Sequence, residues 1–350
     1  AGPDRNLEWE RSFRDRVVDA ICEANSRLAP AVIRAARARF TLGTNRRLTT
    51  PNGDVLLAPN YAGVADSEAQ ALGVYREAGE AVAVVMNYPC HGVVLCEDNL
   101  LFSRDYPGFA IDEVEKLARE RHGGDPIGIF LNGATGNIDP RDRGNFKLAA
   151  EHGRALGRAC FDALEAAVPI EPGPLMMRRI PLRLKLKDLE AALATARSFV
   201  AQTERSLATH RGGDGYHLEK LRGHHSRAAA MLKELEMLVE VNRRDRRVDS
   251  ERGEMAASLG VVALGRDIAM VGLPGEAFVE FGLALKANPW FRHTLVVGYC
   301  NDLIMYIPTR EAYADGGYEV DSARVAAGSG EQIVATALAQ LAEIAAGCAD

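Results

Sequence analysis

The sequence predicts an α/β protein of mixed type: central mixed β-sheets flanked by helices, with an antiparallel αα-hairpin inserted between two parts of the core. Three observations predict it. Short, β-branched apolar runs at 82–86, 127–131 and 294–299 read as buried strands, each bounded by Gly, Pro or Asn. Longer stretches with helical periodicity, such as 146–167, alternate with them. In the middle of the chain the period changes. Leu189, Leu193, Ala196, Val200, Thr203 and Leu207 step by four and three, and Leu218, Leu221, His225, Ala228, Leu232, Leu235 and Val239 follow suit after Gly212-Gly213-Asp214-Gly215. Two heptad-patterned helices joined by a glycine turn make a helical hairpin. The chain therefore divides into 1–186 as the first part of a catalytic core, 187–250 as the inserted hairpin, and 251–350 as the second part of the core.

Taken in order, residues 7–28 form an amphipathic helix, with Trp9, Phe13, Val17, Ile21 and Leu28 at helical spacing among charges. Pro30 ends it, and 31–42 follows as a strand. Asn52-Gly53 marks a hairpin turn. A second hairpin runs from 71–75 through a turn at 76–79 into the buried strand that breaks at Pro89, since proline cannot donate to a ladder. Residues 105–121 read as a helix. The strand at 127–131 empties into Asn132-Gly133-Ala134-Thr135-Gly136-Asn137-Ile138-Asp139-Pro140, the kind of loop in which α/β folds meet their ligands. The helix at 146–167 places His152 on its apolar face as a packing residue. In the inserted hairpin His210, His217, His224 and His225 match no ligand spacing such as HExxH and read as solvated or packed. Residues 259–264 and 268–272 form a hairpin that delivers Leu273-Pro274-Gly275-Glu276 to a helix over 277–286, with Glu276 in its first turn, where a carboxylate is favoured. After the strand at 294–299, a polar loop over 311–318 and a helix over 331–346 close the chain.

Composition limits the function. A formal charge of −6 over 350 residues lacks the basic face that a nucleic-acid binder needs. No run reaches the length of a membrane span, and Ala1-Gly2-Pro3-Asp4-Arg5 has none of the apolar stretch of a signal peptide. Six cysteines are scattered without CxxC or framework spacing, which favours reduced thiols in a cytoplasmic setting.

Three strand ends each present one side chain suited to chemistry: His91, Glu276 and Tyr306. A rigid strand end holds a side chain in place, which catalysis requires. There is no GxSxG elbow, no GxxxxGK loop and no GxGxxG after a strand.

Four ordered blocks resemble the catalytic domain of the neutral/alkaline (non-lysosomal) ceramidase family. They are His91 with Asp105 downstream; Gly136-Asn137-Ile138-Asp139-Pro140, similar to its Gly-Asp-x-x-Pro loop; Pro274-Gly275-Glu276-Ala277-Phe278, similar to its Pro-Gly-Glu-Phe block; and Tyr306-Ile307-Pro308-Thr309-Arg310-Glu311 through Tyr318-Glu319. The resemblance implies a zinc-dependent hydrolase of a C–N amide bond, acting on linear amides in a small-molecule or lipid-like substrate other than long-chain ceramide. It implies His91, Glu276 and Tyr306 as zinc ligands and Tyr318 as a catalytic hydroxyl for the developing oxyanion. Asn132, Arg104 and Asp105, in the matching loops, are the candidate substrate-binding residues. The family's first zinc histidine, in a His-x-His segment, has its counterpart upstream of Ala1, and the C-terminal immunoglobulin-like domain has none. An upstream segment or a separate chain is therefore expected to complete the zinc site, and the hairpin at 187–250 offers a homodimer contact. Two alternatives stand beside this reading. One is a non-catalytic binding protein on the same fold that has lost its metal. The other is a thiol hydrolase on Cys90, whose adjacency to His91 makes a poor nucleophile–base pair.

Overall fold

The computed structural model describes residues 7–347 except 97, 172 and 210–214. Ala1-Gly2-Pro3, Glu97, His210 and the glycine turn at 212–214 lie outside the described residues, as do the side chains of His217, Leu221 and His224.

After helix α1 (Leu7–Ser26), strands β1 (Ala31–Arg39), β2 (Gly43–Thr49), β3 (Val55–Asn60), β4 (Glu68–Arg76) and β5 (Ala81–Tyr88) lead to helix α2 (Asp105–His122). Strands β6 (Ile127–Asn132) and β7 (Ile138–Pro140), helix α3 (Phe146–Glu165) and strand β8 (Leu175–Lys185) complete the first part. The first sheet runs β1-β4-β5-β6, antiparallel except for the parallel pair β5/β6. A smaller sheet, β3-β2-β7, stands beside it. Helices α2 and α3 cover one face of the first sheet, burying Met86, Tyr106, Val114, Leu156 and Leu164. The α3 start is capped by Asn145, whose Oδ1 accepts from the Leu148 amide at 3.0 Å.

The inserted hairpin is α4 (Leu189–Thr209) and α5 (Gly215–Arg244). Cross-pairs Arg197–Glu236 and Glu190–Arg243 show the helices to be antiparallel. Its seam buries Leu189, Leu193, Ala196, Leu235 and Val239, which the four-three stepping selects, together with Leu238 beside them. His225 lies within it, its Nδ1 3.1 Å from the Thr203 hydroxyl, as a packed histidine.

The second part is built from β9 (Val248–Asp249), β10 (Glu254–Leu264), β11 (Ile268–Gly272), β12 (Glu276–Ala277), α6 (Val279–Lys286), β13 (His293–Val297) and β14 (Tyr306–Ile307). Three helices end the chain: α7 (Arg310–Asp315), α8 (Tyr318–Asp321) and α9 (Ser329–Gly347). Its sheet runs β13-β11-β10-β8 with β9 on β10. Alternate residues of β10 (Met255, Ala257, Leu259, Val261, Ala263) enter the largest core with Ile333, Ala337, Leu341 and Ile344 of α9. The two large sheets meet through Ala35, Ile268 and Leu295. The layers are thus helix, sheet, sheet, helix, the mixed α/β architecture that the sequence predicts.

Two local expectations are corrected. Glu276 does not open a helix; it sits in the two-residue strand β12, paired in parallel with β14, and α6 starts at Val279. The stretch 311–318 is not an open loop but helix α7, capped by the Thr309 hydroxyl on the Ala312 amide, followed by Gly316-Gly317 and the start of α8. β12 is fixed by a partner distant in sequence, β14, which local pattern does not report, whereas α7 starts at a local cap. None of the residues of α1 is buried, and its Trp9 and Phe13 rings stack on each other at 5.3 Å. Among the described residues no helix is long and apolar enough to cross a membrane.

Candidate active site

Strand β5 ends at Tyr88, and Pro89 and Cys90 turn the chain so that His91 faces β7. The Ile138 carbonyl then receives both the His91 backbone amide, at 3.2 Å, and its ring Nδ1, at 2.9 Å. A carbonyl only accepts, so Nδ1 carries the ring proton. The other nitrogen, Nε2, lies 3.2 Å from Oε2 of Glu276. In a neutral ring that nitrogen bears a lone pair, and two acceptors would then face each other. A second ring proton, or a cation between the two atoms, removes the conflict.

Glu276 reaches this position because β12 pairs in register with β14, setting Glu276 directly opposite Tyr306. Burial alone would push the Glu276 carboxyl up. The hydrogen bond and charge of His91, with hydrogen bonds from Tyr306 and Tyr299, outweigh it and hold the carboxyl below its ordinary range. Burial pushes the Tyr306 phenol well up, against the pull of Arg46.

Arg46, from β2, ties the site together. Its Nη2 donates to the Tyr306 hydroxyl at 3.1 Å, its Nε to Glu319 at 2.8 Å and its Nη1 to Asp139 at 3.1 Å. Burial works against this guanidinium, but Asp139, Tyr306 and Glu319 together keep it firmly charged. Arg47 takes the other oxygen of Glu319 at 2.7 Å. Two exposed tyrosines flank the centre. Tyr318 meets the Tyr306 ring edge-on, with centroids 5.6 Å apart, and the Tyr299 hydroxyl lies 3.5 Å from His91 Nε2. Tyr299, Asn301 and Met305 all have left-handed backbones, with φ of 54°, 67° and 69°. Such residues cost on the order of 1–3 kcal/mol each and persist where surrounding structure holds them.

The structure therefore brings together His91, Glu276, Tyr306 and Tyr318. It places the other candidates elsewhere or in other work. Asp105 is buried, and its carboxylate accepts from the amides of Val94, Leu95 and Tyr106, so it shapes the loop after His91. Arg104 is exposed and pairs with Asp112 at 2.8 Å. Asn132 ends β6, where its carbonyl accepts from Gly298 and its buried Oδ1 has no partner. Cys90 is fully buried, its thiol pushed well up by burial and aimed at a carbonyl, which removes the basis for a thiol nucleophile. The sequence reading missed Arg46, Asp139, Glu319 and Tyr299. Arg46 sits in a polar-looking strand, Asn45-Arg46-Arg47, and only tertiary contacts reveal its burial; Tyr299, at the end of a predicted strand, and Asp139 and Glu319, inside the resembling blocks, were within reach.

Zinc suits an imidazole, a carboxylate and a phenol oxygen. Two ligands each about 2.0–2.1 Å from zinc at the tetrahedral angle lie roughly 3.3 Å apart, so the 3.2 Å between His91 Nε2 and Glu276 Oε2 fits a shared ion. Among the described residues no group of three or more His, Cys, Asp or Glu side chains surrounds a common point, and the hydroxyls of Tyr306 and Tyr299 both reach the Glu276 carboxylate.

The layered sheets and the paired short strands that carry this centre define a ceramidase-like fold. In particular, the chain is similar to the crystal structure of neutral ceramidase from Pseudomonas aeruginosa, with a TM-score of 0.62 and 17% identity, over 95% of this chain and 55% of that one. It is also similar to a structure described as ceramidase complexed with C2, with a TM-score of 0.57 and 16% identity, over 89% and 53%. The chain spans about half the length of these proteins. No protein-family profile and no curated protein sequence matches it.

Proposed function

We propose that this chain is a zinc-dependent hydrolase of C–N amide bonds, with His91, Glu276 and Tyr306 as the zinc ligands. The observation that carries the reading is the 3.2 Å approach of His91 Nε2 to the Glu276 carboxylate, a spacing that a shared zinc ion also fits, with the Nδ1 proton committed to Ile138. Zinc bound there would supply Lewis acidity toward an amide carbonyl and toward water. The protein's own groups do the rest. Ile138 orients the imidazole, as outer partners of metal-bound histidines do. Arg46 holds the Tyr306 oxygen by a hydrogen bond and favours its anionic form. In this reading Tyr318, exposed beside the Tyr306 ring, donates its hydroxyl to the developing oxyanion. The substrate is a linear amide, small or lipid-like.

The three donors leave the ligand set short, and a further donor from outside the described residues completes it in this reading. The same shortage is what favours the second reading, a binding protein on this fold that has lost its metal. Metal analysis of the purified protein, together with amine release from N-acyl amides in added zinc, separates the two. Stoichiometric zinc and hydrolysis are expected; absence of both at saturating zinc, with and without a supplied upstream segment, would leave the binding protein.

A further inference from the structure

We propose that a cavity on the face of β8 and β10 turned away from α9 binds a short alkyl carboxylate through Arg179, and that its occupant steadies the loop over 299–305. The cavity measures about 310 Å³, at the lower end of the range for small-molecule pockets. Its place follows from strand parity. Met255, Ala257 and Leu259 of β10 enter the core with α9, so Ala256 and Ser258 face the other way. In the β8/β10 register Pro181 stands opposite Ser258 and Arg179 opposite Gly260, which puts Arg179 and Pro181 on that same face. Arg247 and Asp302 complete the lining. Arg179 is exposed, so a ligand reaches it from solvent.

The charges of the lining decide the ligand. Asp302 is compensated, since Oδ1 accepts from Arg247 at 2.9 Å and Oδ2 from the Ser258 amide and hydroxyl. Arg247 commits its Nε and Nη2 to Asp245, at 2.9 and 2.8 Å. Arg179 differs from both. Its Nε donates to the Ser258 hydroxyl at 3.1 Å, which fixes the guanidinium at the cavity wall, and among the described residues neither Nη atom meets a carboxylate. Arg178 beside it, by contrast, pairs with Glu343 at 2.6 Å. Two Nη donors held side by side match the two oxygens of a carboxylate. Pro181 and Ala256 bring no polar side-chain atom, which suits an alkyl chain on the rest of the ligand. Ser258 then links the site to the loop, because its hydroxyl accepts from Arg179 and donates to Asp302, midway between Tyr299 and Tyr306. An N-acyl amide hydrolase releases an acid of this class, so in that reading the cavity responds to product; the binding itself does not depend on it.

The test titrates the full chain, without added zinc, with hexanoate, 1-hexanol and inorganic phosphate, and reads the heat of binding and amide hydrogen exchange. Hexanoate is expected to bind roughly tenfold tighter than 1-hexanol, which lacks the charge, because hydrogen bonds to charged groups contribute on that order. It should also bind tighter than phosphate, which lacks the chain. Arg179→Gln should bring hexanoate down to the level of 1-hexanol while urea unfolding stays unchanged. Saturating hexanoate should slow exchange over 299–305 in the wild type and leave it as it was in Arg179→Gln. No binding of hexanoate, or equal affinity in the wild type and Arg179→Gln, overturns the site, whatever the chain does to amides. Phosphate binding tighter than hexanoate overturns the alkyl carboxylate as its ligand. Hexanoate held through Arg179 with exchange over 299–305 unmoved overturns the link to the loop.

Discussion

Arg46 donates to the hydroxyl of Tyr306 across 3.1 Å, although the two lie 260 positions apart in the chain. The same guanidinium holds Asp139 from β7 and Glu319 from α8, so one side chain joins the small sheet, the loop after β6 and the C-terminal segment. Glu319 is 1% exposed and has no cation near it except Arg46 and Arg47 among the described contacts.

Arg46→Ala should consequently destabilise the protein by about 3–5 kcal/mol, because it strands a buried carboxylate with half its compensation gone. Urea unfolding measures this. A loss below about 1 kcal/mol would mean that Glu319 finds water or Arg47 alone sufficient.

Glu276→Gln changes shape little but removes the sole carboxylate that faces His91 Nε2 among the described residues. The fold should survive, as judged by circular dichroism. Zinc affinity should fall by more than the roughly 10–100-fold that follows loss of an outer partner. Isothermal titration with zinc reads the difference, and an unchanged affinity would take Glu276 out of the ligand set.

Much of the architecture could be read from local pattern because its elements are long and periodic. The α4/α5 seam and the apolar run of β5 bury side chains that their pattern selects, whereas β6, expected as a buried strand, leaves Ile127 and Ile129 exposed, and α3 buries Ala149, Leu156, Cys160 and Leu164 rather than the face that carries His152. The ends of strands could also be read, which is why His91, Glu276 and Tyr306 stood out before any geometry. What could not be read depends on partners far away in sequence. β12 and β14 are two residues each and exist only as a pair, so Glu276 looked like the opening of a helix. Arg46 did not stand out, because nothing in its local sequence hints at Asp139, Tyr306 and Glu319. Asp105 looked available to a ligand because its role, accepting three backbone amides, is visible only once the loop closes on it.

Acid stability should depend on Asp245. Its hydrogen bonds from Arg247, opposed by burial and reinforced by Arg324, hold the carboxyl far below its ordinary range. With the native value depressed, the unfolded chain binds more protons as pH falls, so stability is fully present above about pH 4, the unfolded value, and declines below it. Asp245→Asn should lower stability at neutral pH and flatten that acid decline. A mutant whose stability falls with acid as steeply as the wild type would assign the acid limb to other carboxylates.

The hairpin makes its own core and needs it. Leu235 is 0% exposed in the α4/α5 seam, and Leu235→Ala should cost about 2–5 kcal/mol. Leu232→Asp, at a partly buried seam position, should loosen the hairpin too. Thermal melts and light scattering on both variants separate packing from assembly. If the hairpin also forms the homodimer contact that its sequence offers, the mass falls along with the melting temperature; a fall in melting temperature at constant mass would confine its role to the monomer.

Asp302 clamps the left-handed loop that carries Tyr299 at one end and Tyr306 at the other. Its Oδ2 accepts from the Ser258 amide at 2.9 Å and the Ser258 hydroxyl at 3.1 Å, and its Oδ1 from Arg247 at 2.9 Å. Left-handed non-glycine residues persist only when held, and three of them fall within seven positions here. Asp302→Ala releases the clamp without touching His91 or Glu276, and the loop gains by relaxing what it loses in hydrogen bonds. The expected result is a small change in global stability, about 1–2 kcal/mol, with faster hydrogen exchange confined to 299–305. The relaxed loop should carry Tyr306 away from Glu276, so zinc affinity falls although no ligand has been replaced. Unaltered exchange over 299–305 would show that the backbone hydrogen bonds to Leu273, Pro274 and Gly275 hold the loop by themselves.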